Sequence, residues 1–271
     1  MTQFLTLPEG RIAYDVQGTG PVVLCVPSLG DRRQEYRFLT PILVEAGYQV
    51  VTMDLRGHGE TSVRWPDYSV VGVGSDIVAL ARHLNAGPIT VIGTSLAAGA
   101  AVWAAAEDPA IIQGLVLIGA FVRDFGPAWK ARLLSLPFQY PWGPSLWASF
   151  YASLYPTSKP ADFAAYQASL RENLKEPGRL KAFRAMVSTS KAASEARLPQ
   201  VKTPVLVVMG TKDPDFPDPE GEGRRIASEL DGMLHVIPGA GHYPHAEMPE
   251  ETAAPIAAFL DGLRKEVRRG A

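Results

Sequence analysis

The stretch from Pro88 to Asp108, PITVIGTSLAAGAAVWAAAED, constrains the fold more than any other part of the chain. Ile89, Val91 and Ile92 are the apolar, β-branched residues of a buried strand, and Leu96 to Glu107 is mostly alanine, the strongest helix former. Only Gly93, Thr94 and Ser95 separate the two runs. A strand that turns directly into a helix forces its corner residue into a strained backbone, and small residues two positions to either side let strand and helix come close. Gly93 and Ala97 meet that demand. Ser95 is therefore expected on the corner, its hydroxyl raised above the sheet at the positive end of the helix.

The rest of the chain repeats this rhythm. Ile12, Tyr14 and Val16 alternate with polar or small residues after the turn Pro8-Glu9-Gly10, which predicts an opening antiparallel hairpin. Val22 to Val26 is continuously apolar, as in a strand covered on both faces. Tyr48–Met53, Leu115–Ile118, Val205–Met209 and Leu234–Ile237 are further short apolar runs. Between them Ile77, Leu80, Ala81, Leu84 and Ile256, Phe259, Leu260, Leu263 each fall at i, i+3, i+4, i+7, the spacing of an amphipathic helix. Such alternation predicts an α/β fold with a mainly parallel central sheet and helices on both faces. Ligands of such sheets bind beyond the carboxyl ends of the strands. Lys265 to Ala271 reads as a solvated tail.

From about Asp124 to Ala196 no strand-like run appears. The first half of this region mixes aromatics with Pro127, Pro137, Pro141, Pro144 and Pro156. Short, proline-broken helices account for it, inserted as a cap over residues 124–195 into a core made of 1–123 and 196–271. Some of its aromatics are expected to pack the cap onto the core and others to line a largely apolar pocket, with Trp129, Trp142 and Trp147 as pocket candidates.

At 271 residues, 46% hydrophobic and 20% charged, the chain has the composition of a globular protein able to bury a large core. A net charge of −2 without a Lys/Arg cluster offers no field for nucleic acid. The N-terminus lacks a signal-peptide pattern, and the longest apolar run, Leu96 to Ala106, is too short to span a bilayer, so a cytoplasmic protein with no membrane association is expected. The single cysteine, Cys25, lies in a strand-like run and is expected to be buried. No metal-ligand spacing and no phosphate-binding glycine loop is present, so no metal or cofactor is expected.

The pentapeptide Gly93-Thr94-Ser95-Leu96-Ala97 resembles the Gly-x-Ser-x-Gly nucleophile elbow of the α/β-hydrolases, with Ala97 in place of the last glycine. A serine hydroxyl needs a base. Among the five histidines, His83 falls in an amphipathic helix and His235 in a strand. His58 lies in Asp54-Leu55-Arg56-Gly57-His58-Gly59, similar to a family turn in which the histidine is structural. Pro238-Gly239-Ala240-Gly241-His242 resembles the family's final motif, which implies His242 as base; His245 is the alternative and otherwise faces the pocket or solvent. The base needs a carboxylate to orient it. Gly210-Thr211-Lys212-Asp213 is similar to the family's acid loop and implies Asp213, with Asp124 and Asp215 as alternatives.

By the same resemblance the oxyanion of an acyl-transfer step would meet the backbone N–H groups of Leu96 and Leu29. Leu29 lies in Pro27-Ser28-Leu29-Gly30-Asp31, where most relatives carry His-Gly at the positions of Pro27-Ser28. Ser28 adds a hydroxyl donor at the pocket or stabilises the turn. The resemblance implies a cofactor-independent serine hydrolase, with Ser95 as nucleophile, acting on a small-molecule ester or lactone with an apolar moiety. The same triad serves C–C bond hydrolysis and peracid formation. Some members with intact triads are instead small-molecule receptors that signal through a protein partner.

Overall fold

The computed structural model describes residues 1–127, 129, 133 and 135–270. Eight strands form one sheet: β1 (Gln3–Leu7), β2 (Gly10–Gln17), β3 (Val22–Val26), β4 (Gln49–Met53), β5 (Ile89–Thr94), β6 (Ile112–Ile118), β7 (Val205–Gly210) and β8 (Met233–Ile237). Their order across the sheet is β1-β2-β4-β3-β5-β6-β7-β8. The β1–β2 hairpin and the β2–β4 pair are antiparallel, and every pair from β4 through β8 is parallel. This is the mainly parallel sheet that the strand and helix rhythm predicts.

Among the described residues the helices include α1 (Leu39–Glu45), α2 (Val70–Leu84), α3 (Leu96–Glu107), α4 (Gly143–Ser153), α5 (Phe163–Lys175), α6 (Arg179–Val187), α7 (Ala192–Glu195), α8 (Pro219–Glu229), α9 (Pro244–Glu247) and α10 (Pro249–Gly270). They cover both faces because successive strand residues point to opposite sides. In β3, Val22, Leu24 and Val26 join Ile77 of α2, Ala98 of α3 and Ile226 of α8 in one core. Val23 and Cys25 face the other way, onto Leu39 of α1 and Ile256 and Leu260 of α10. The alanines of α3 have a packing reason. A Cβ on Gly74 of α2 would stand 2.5 Å from the Trp103 ring and 3.0 Å from the Ala100 carbonyl, so small residues permit the two helices' close approach.

The helical segment between β6 and β7 carries its own apolar cluster. Trp147 and Tyr151 of α4, Phe163 and Tyr166 of α5 and Phe183 of α6 pack together with Tyr243 from the loop after β8. The stretch read as a tail is helical at its start: α10 continues to Gly270, Lys265 is exposed, and only Ala271 of that stretch lies outside the described residues. No helix among the described residues is long and apolar enough to cross a membrane.

Candidate active site

Ser95 stands between the last residue of β5 and the first of α3 with φ 59° and ψ −121°, backbone angles that cost a non-glycine residue about 1–3 kcal/mol. The corner is pinned from three sides. The Ser95 N–H donates to the Ile118 carbonyl at 2.8 Å, and the Ser95 carbonyl accepts from Ala98 and Phe121, each at 3.1 Å. Gly93 is required because a Cβ there would lie 2.6 Å from the Ala97 carbonyl oxygen. The strain is thus held by surrounding packing, and the serine side chain is half-buried at the carboxyl edge of the sheet.

His242 and Asp213 arrive on neighbouring loops. Gly210, at the end of β7, leaves so little room that a Cβ would meet the Gly241 carbonyl at 2.1 Å, which brings the two loops into contact. The Nδ1 of His242 lies 2.7 Å from Oδ2 of Asp213, and both side chains are buried. The His242 ring packs on Gly119, where a Cβ would approach its Nδ1 at 3.0 Å. Gly119 directly follows Ile118, the residue that binds the Ser95 N–H. Phe121 makes a second link, with its N–H on the Ser95 carbonyl and its ring centroid 6.0 Å from the imidazole.

Burial opposes charge on His242, but the Asp213 carboxylate, its hydrogen bond and the nearby Asp215 outweigh it and raise the imidazole to about 9. Asp215 approaches Nδ1 to 3.8 Å, and its own carboxyl is raised by burial against the pull of His242. Its N–H donates to Asp213 Oδ1 at 3.0 Å, so one carboxylate is held by the residue carrying the other. Asp213, Asp215 and His242 offer atoms within 4.8 Å of one another, a spacing that a cation could use and that the sequence did not reveal. Nδ1 is already committed to Asp213, however, and the hydrogen bond between them needs a proton there.

Apart from Asp215, the alternatives weighed from sequence lie elsewhere. Asp124 accepts from the Ser190 hydroxyl and, at 2.9 Å, from the Lys191 N–H, on the segment entering α7. His245 faces neither pocket nor solvent, which corrects that expectation: it is fully buried, stacked on Tyr36 with ring centroids 4.9 Å apart, and its Nε2 is 3.1 Å from Glu35 Oε1. His58 is buried in the turn that Asp54 organises; its Nδ1 lies 3.1 Å from the Arg56 carbonyl, and burial lowers it to about 4. His83 reaches the Tyr14 hydroxyl at 3.2 Å, and His235 is an exposed residue of β8. Cys25 is buried, and burial pushes its thiol pKa up.

Leu29 follows β3 and Leu96 opens α3. Among the described residues neither backbone N–H has a hydrogen-bond acceptor. Ser28 is buried, and its hydroxyl is engaged by the Tyr243 hydroxyl at 2.6 Å. Of the three tryptophans, Trp129 and Trp142 are 57% and 59% exposed. Trp147 is buried, and its indole N–H donates to the Gly30 carbonyl at 3.0 Å. Sequence reading missed Glu35, Tyr243 and Asp31, whose partners are far away along the chain.

Residues 23–254 match the model of the Alpha/beta hydrolase family. The chain is 26% identical to a 2-(acetamidomethylene)succinate hydrolase of Mesorhizobium japonicum, over 93% of each chain. Among solved structures, a thermophilic esterase from Thermogutta terrifontis superposes with a TM-score of 0.82 at 24% identity, covering 97% of this chain and 99% of that one. An enol-lactonase from Burkholderia xenovorans superposes with a TM-score of 0.81 at 20% identity, covering 96% and 100%. With a family match across most of its length, an eight-stranded sheet of the matching architecture and a serine at the corner after β5, the chain is an enzyme, a hydrolase belonging to the alpha/beta hydrolase family.

Proposed function

We propose that this hydrolase cleaves a carboxylic ester or lactone with an apolar moiety through an acyl-enzyme on Ser95. The observation that carries the reading is the pairing of a strained Ser95 corner with a buried His242–Asp213 hydrogen bond of 2.7 Å on the adjoining loops. Asp213 fixes the proton of His242 on Nδ1, which leaves Nε2 free to accept the Ser95 proton. Ser95 Oγ attacks the carbonyl carbon, and its oxygen becomes an oxyanion met by the N–H groups of Leu29 and Leu96. His242 then returns the proton to the leaving oxygen. Water, activated by the same imidazole, releases the acid and restores Ser95.

In this reading residues 124–195 are a cap over the carboxyl edge of the sheet, and residues 1–123 and 196–271 are the catalytic core. The names of two solved relatives, an esterase and an enol-lactonase, support the ester or lactone class. The test is a fluorophosphonate label mapped by mass, followed by a panel of chromogenic esters. Labelling at Ser95, lost in Ser95→Ala, is the expected result; a label on another residue refutes the assignment.

One observation favours a second reading, a small-molecule receptor acting through a protein partner. Trp142, Leu146 and Phe150 form an i, i+4, i+8 stripe at and along α4, all exposed, beside the exposed Leu136 and Tyr140. Rapid turnover of simple esters by the purified protein counts against it.

A further inference from the structure

We propose that Tyr243 and Tyr151 are positioning residues for Leu29, acting through Ser28 and Asp31 respectively. The inference deepens the hydrolase reading and rests on Leu29 as an oxyanion donor. Oxyanion stabilisation depends on donors fixed before the charge develops, to within about 0.5 Å. The segment Pro27-Ser28-Leu29-Gly30-Asp31 has little to fix it from within. Gly30 adopts φ +77°, and the one bond recorded inside the loop is the Asp31 N–H on the Ser28 carbonyl, at 3.2 Å.

Each residue beside Leu29 is held from outside instead. The Ser28 N–H donates to Glu35 Oε2 at 2.7 Å, and its hydroxyl meets the Tyr243 hydroxyl at 2.6 Å. The Gly30 carbonyl accepts from Trp147. The Asp31 carboxylate accepts from the Tyr151 hydroxyl at 2.9 Å through one oxygen and from the Tyr166 hydroxyl through the other. All of these groups are buried, so water does not substitute for a lost partner without cost. Leu29 is left with an uncommitted N–H between restrained neighbours.

The restraints come from two places that matter to the reaction. Tyr243 directly follows His242, and the two rings meet edge to face with centroids 5.1 Å apart. The bond from Tyr243 to Ser28 therefore ties the residue that carries the proton to the loop that would carry the negative charge. Tyr151, Tyr166 and Trp147 belong to the helices between β6 and β7, so the segment read as the cap in the proposed function holds the other end of the loop.

Tyr243→Phe and Ser28→Ala each delete one side of a single bond and retain the ring packing or the backbone. In each variant kcat for a simple ester falls by about 10- to 100-fold while KM stays within about threefold. Affinity for a trifluoromethyl ketone, whose adduct with Ser95 carries an oxyanion, falls by the same factor as kcat/KM. The double variant loses no more than the worse single one, because the bond is lost once. Tyr151→Phe gives the same kcat-weighted loss, and its combination with Tyr243→Phe is more severe than either alone.

Unchanged kcat, a loss expressed in KM, or ketone affinity that holds while kcat falls overturns the proposal. If wild-type Ser95 is not labelled by a fluorophosphonate, the hydrolase reading and this inference fall together. If it is labelled and the tyrosine variants behave as wild type, the positioning role alone fails. Variant melting temperatures within a few degrees of wild type separate a displaced donor from a damaged fold.

Discussion

Asp215 places a carboxylate oxygen 3.8 Å from Nδ1 of His242, two residues along the loop from Asp213, which already binds that nitrogen at 2.7 Å. Two carboxylates thus face one buried imidazole, and both favour its charged form. In the proposed reaction His242 accepts the Ser95 proton, which requires the neutral form. The apparent pKa governing kcat/KM in the free enzyme is therefore expected on the alkaline side of 7, above the value near 7 that a lone catalytic histidine suggests. Asp215→Asn should lower that limb while retaining most of the limiting rate. A pH profile unchanged by this substitution removes Asp215 from the account.

Stability follows the opposite sign. A histidine whose folded pKa is raised contributes stability that is fully present below its unfolded value of about 6.5 and is lost as the pH rises through the folded value of about 9. Asp31 has the same sign over a lower range: burial, then Glu35, raise its carboxyl to about 7, so its share of stability is lost as the pH rises from its unfolded value of about 3.9 through about 7. The denaturation midpoint should therefore fall between pH 6 and pH 9 even as activity climbs. In His242→Gln the histidine's share of that fall disappears. A midpoint in His242→Gln with the same pH dependence as wild type refutes the link.

The choice of acid can be tested directly. Asp213→Asn removes the charge that holds His242 in its working tautomer and should lower kcat by about three to four orders of magnitude. Asp124→Asn should leave kcat within a few-fold, because that carboxylate is occupied by Ser190 and Lys191. The reverse outcome moves the acid to the segment after β6.

Ser95 itself offers a stability test. At φ 59° and ψ −121° a side chain is strained, and glycine is not. Ser95→Ala and Ser95→Gly should both abolish turnover. Ser95→Gly should in addition be more stable than Ser95→Ala by about 1 kcal/mol, read from urea midpoints at equal slope. Equal midpoints contradict the strain argument.

The parts of this architecture that were legible in the sequence are those written locally. The strand and helix around Ser95, the continuous apolar run of β3, the short loop before Asp213 and the glycine-rich loop before His242 each occupy a few consecutive residues. Chain order sufficed to bring their ends to one edge of a parallel sheet. The support around them was not legible, because its partners meet only in the folded chain. Ser28 and Tyr243 are 215 positions apart, and Tyr151 and Asp31 are 120 apart. His245 is a case in point: its loop suggested a second candidate base, whereas its side chain is buried against Tyr36 and Glu35. The three tryptophans could not be ranked for a similar reason, since helical spacing in a proline-broken segment does not say which face meets the core.

Their placement now sharpens the specificity test. If Trp147, buried beside Gly30, forms part of the acyl pocket, each methylene a substrate buries there contributes about 0.8 kcal/mol, or roughly fourfold in kcat/KM. Across straight-chain acyl esters kcat/KM should climb with length and fall once the chain meets the pocket wall. Trp147→Phe shortens that wall and also removes the indole N–H from the Gly30 carbonyl. Rates should drop for the whole series while the optimum moves to a longer chain. Trp142→Ala, at a site already exposed, should move neither, and the same holds for Trp129→Ala. A uniform loss in Trp147→Phe with an unmoved optimum would mean that Trp147 serves the loop alone, and that another residue sets acyl length.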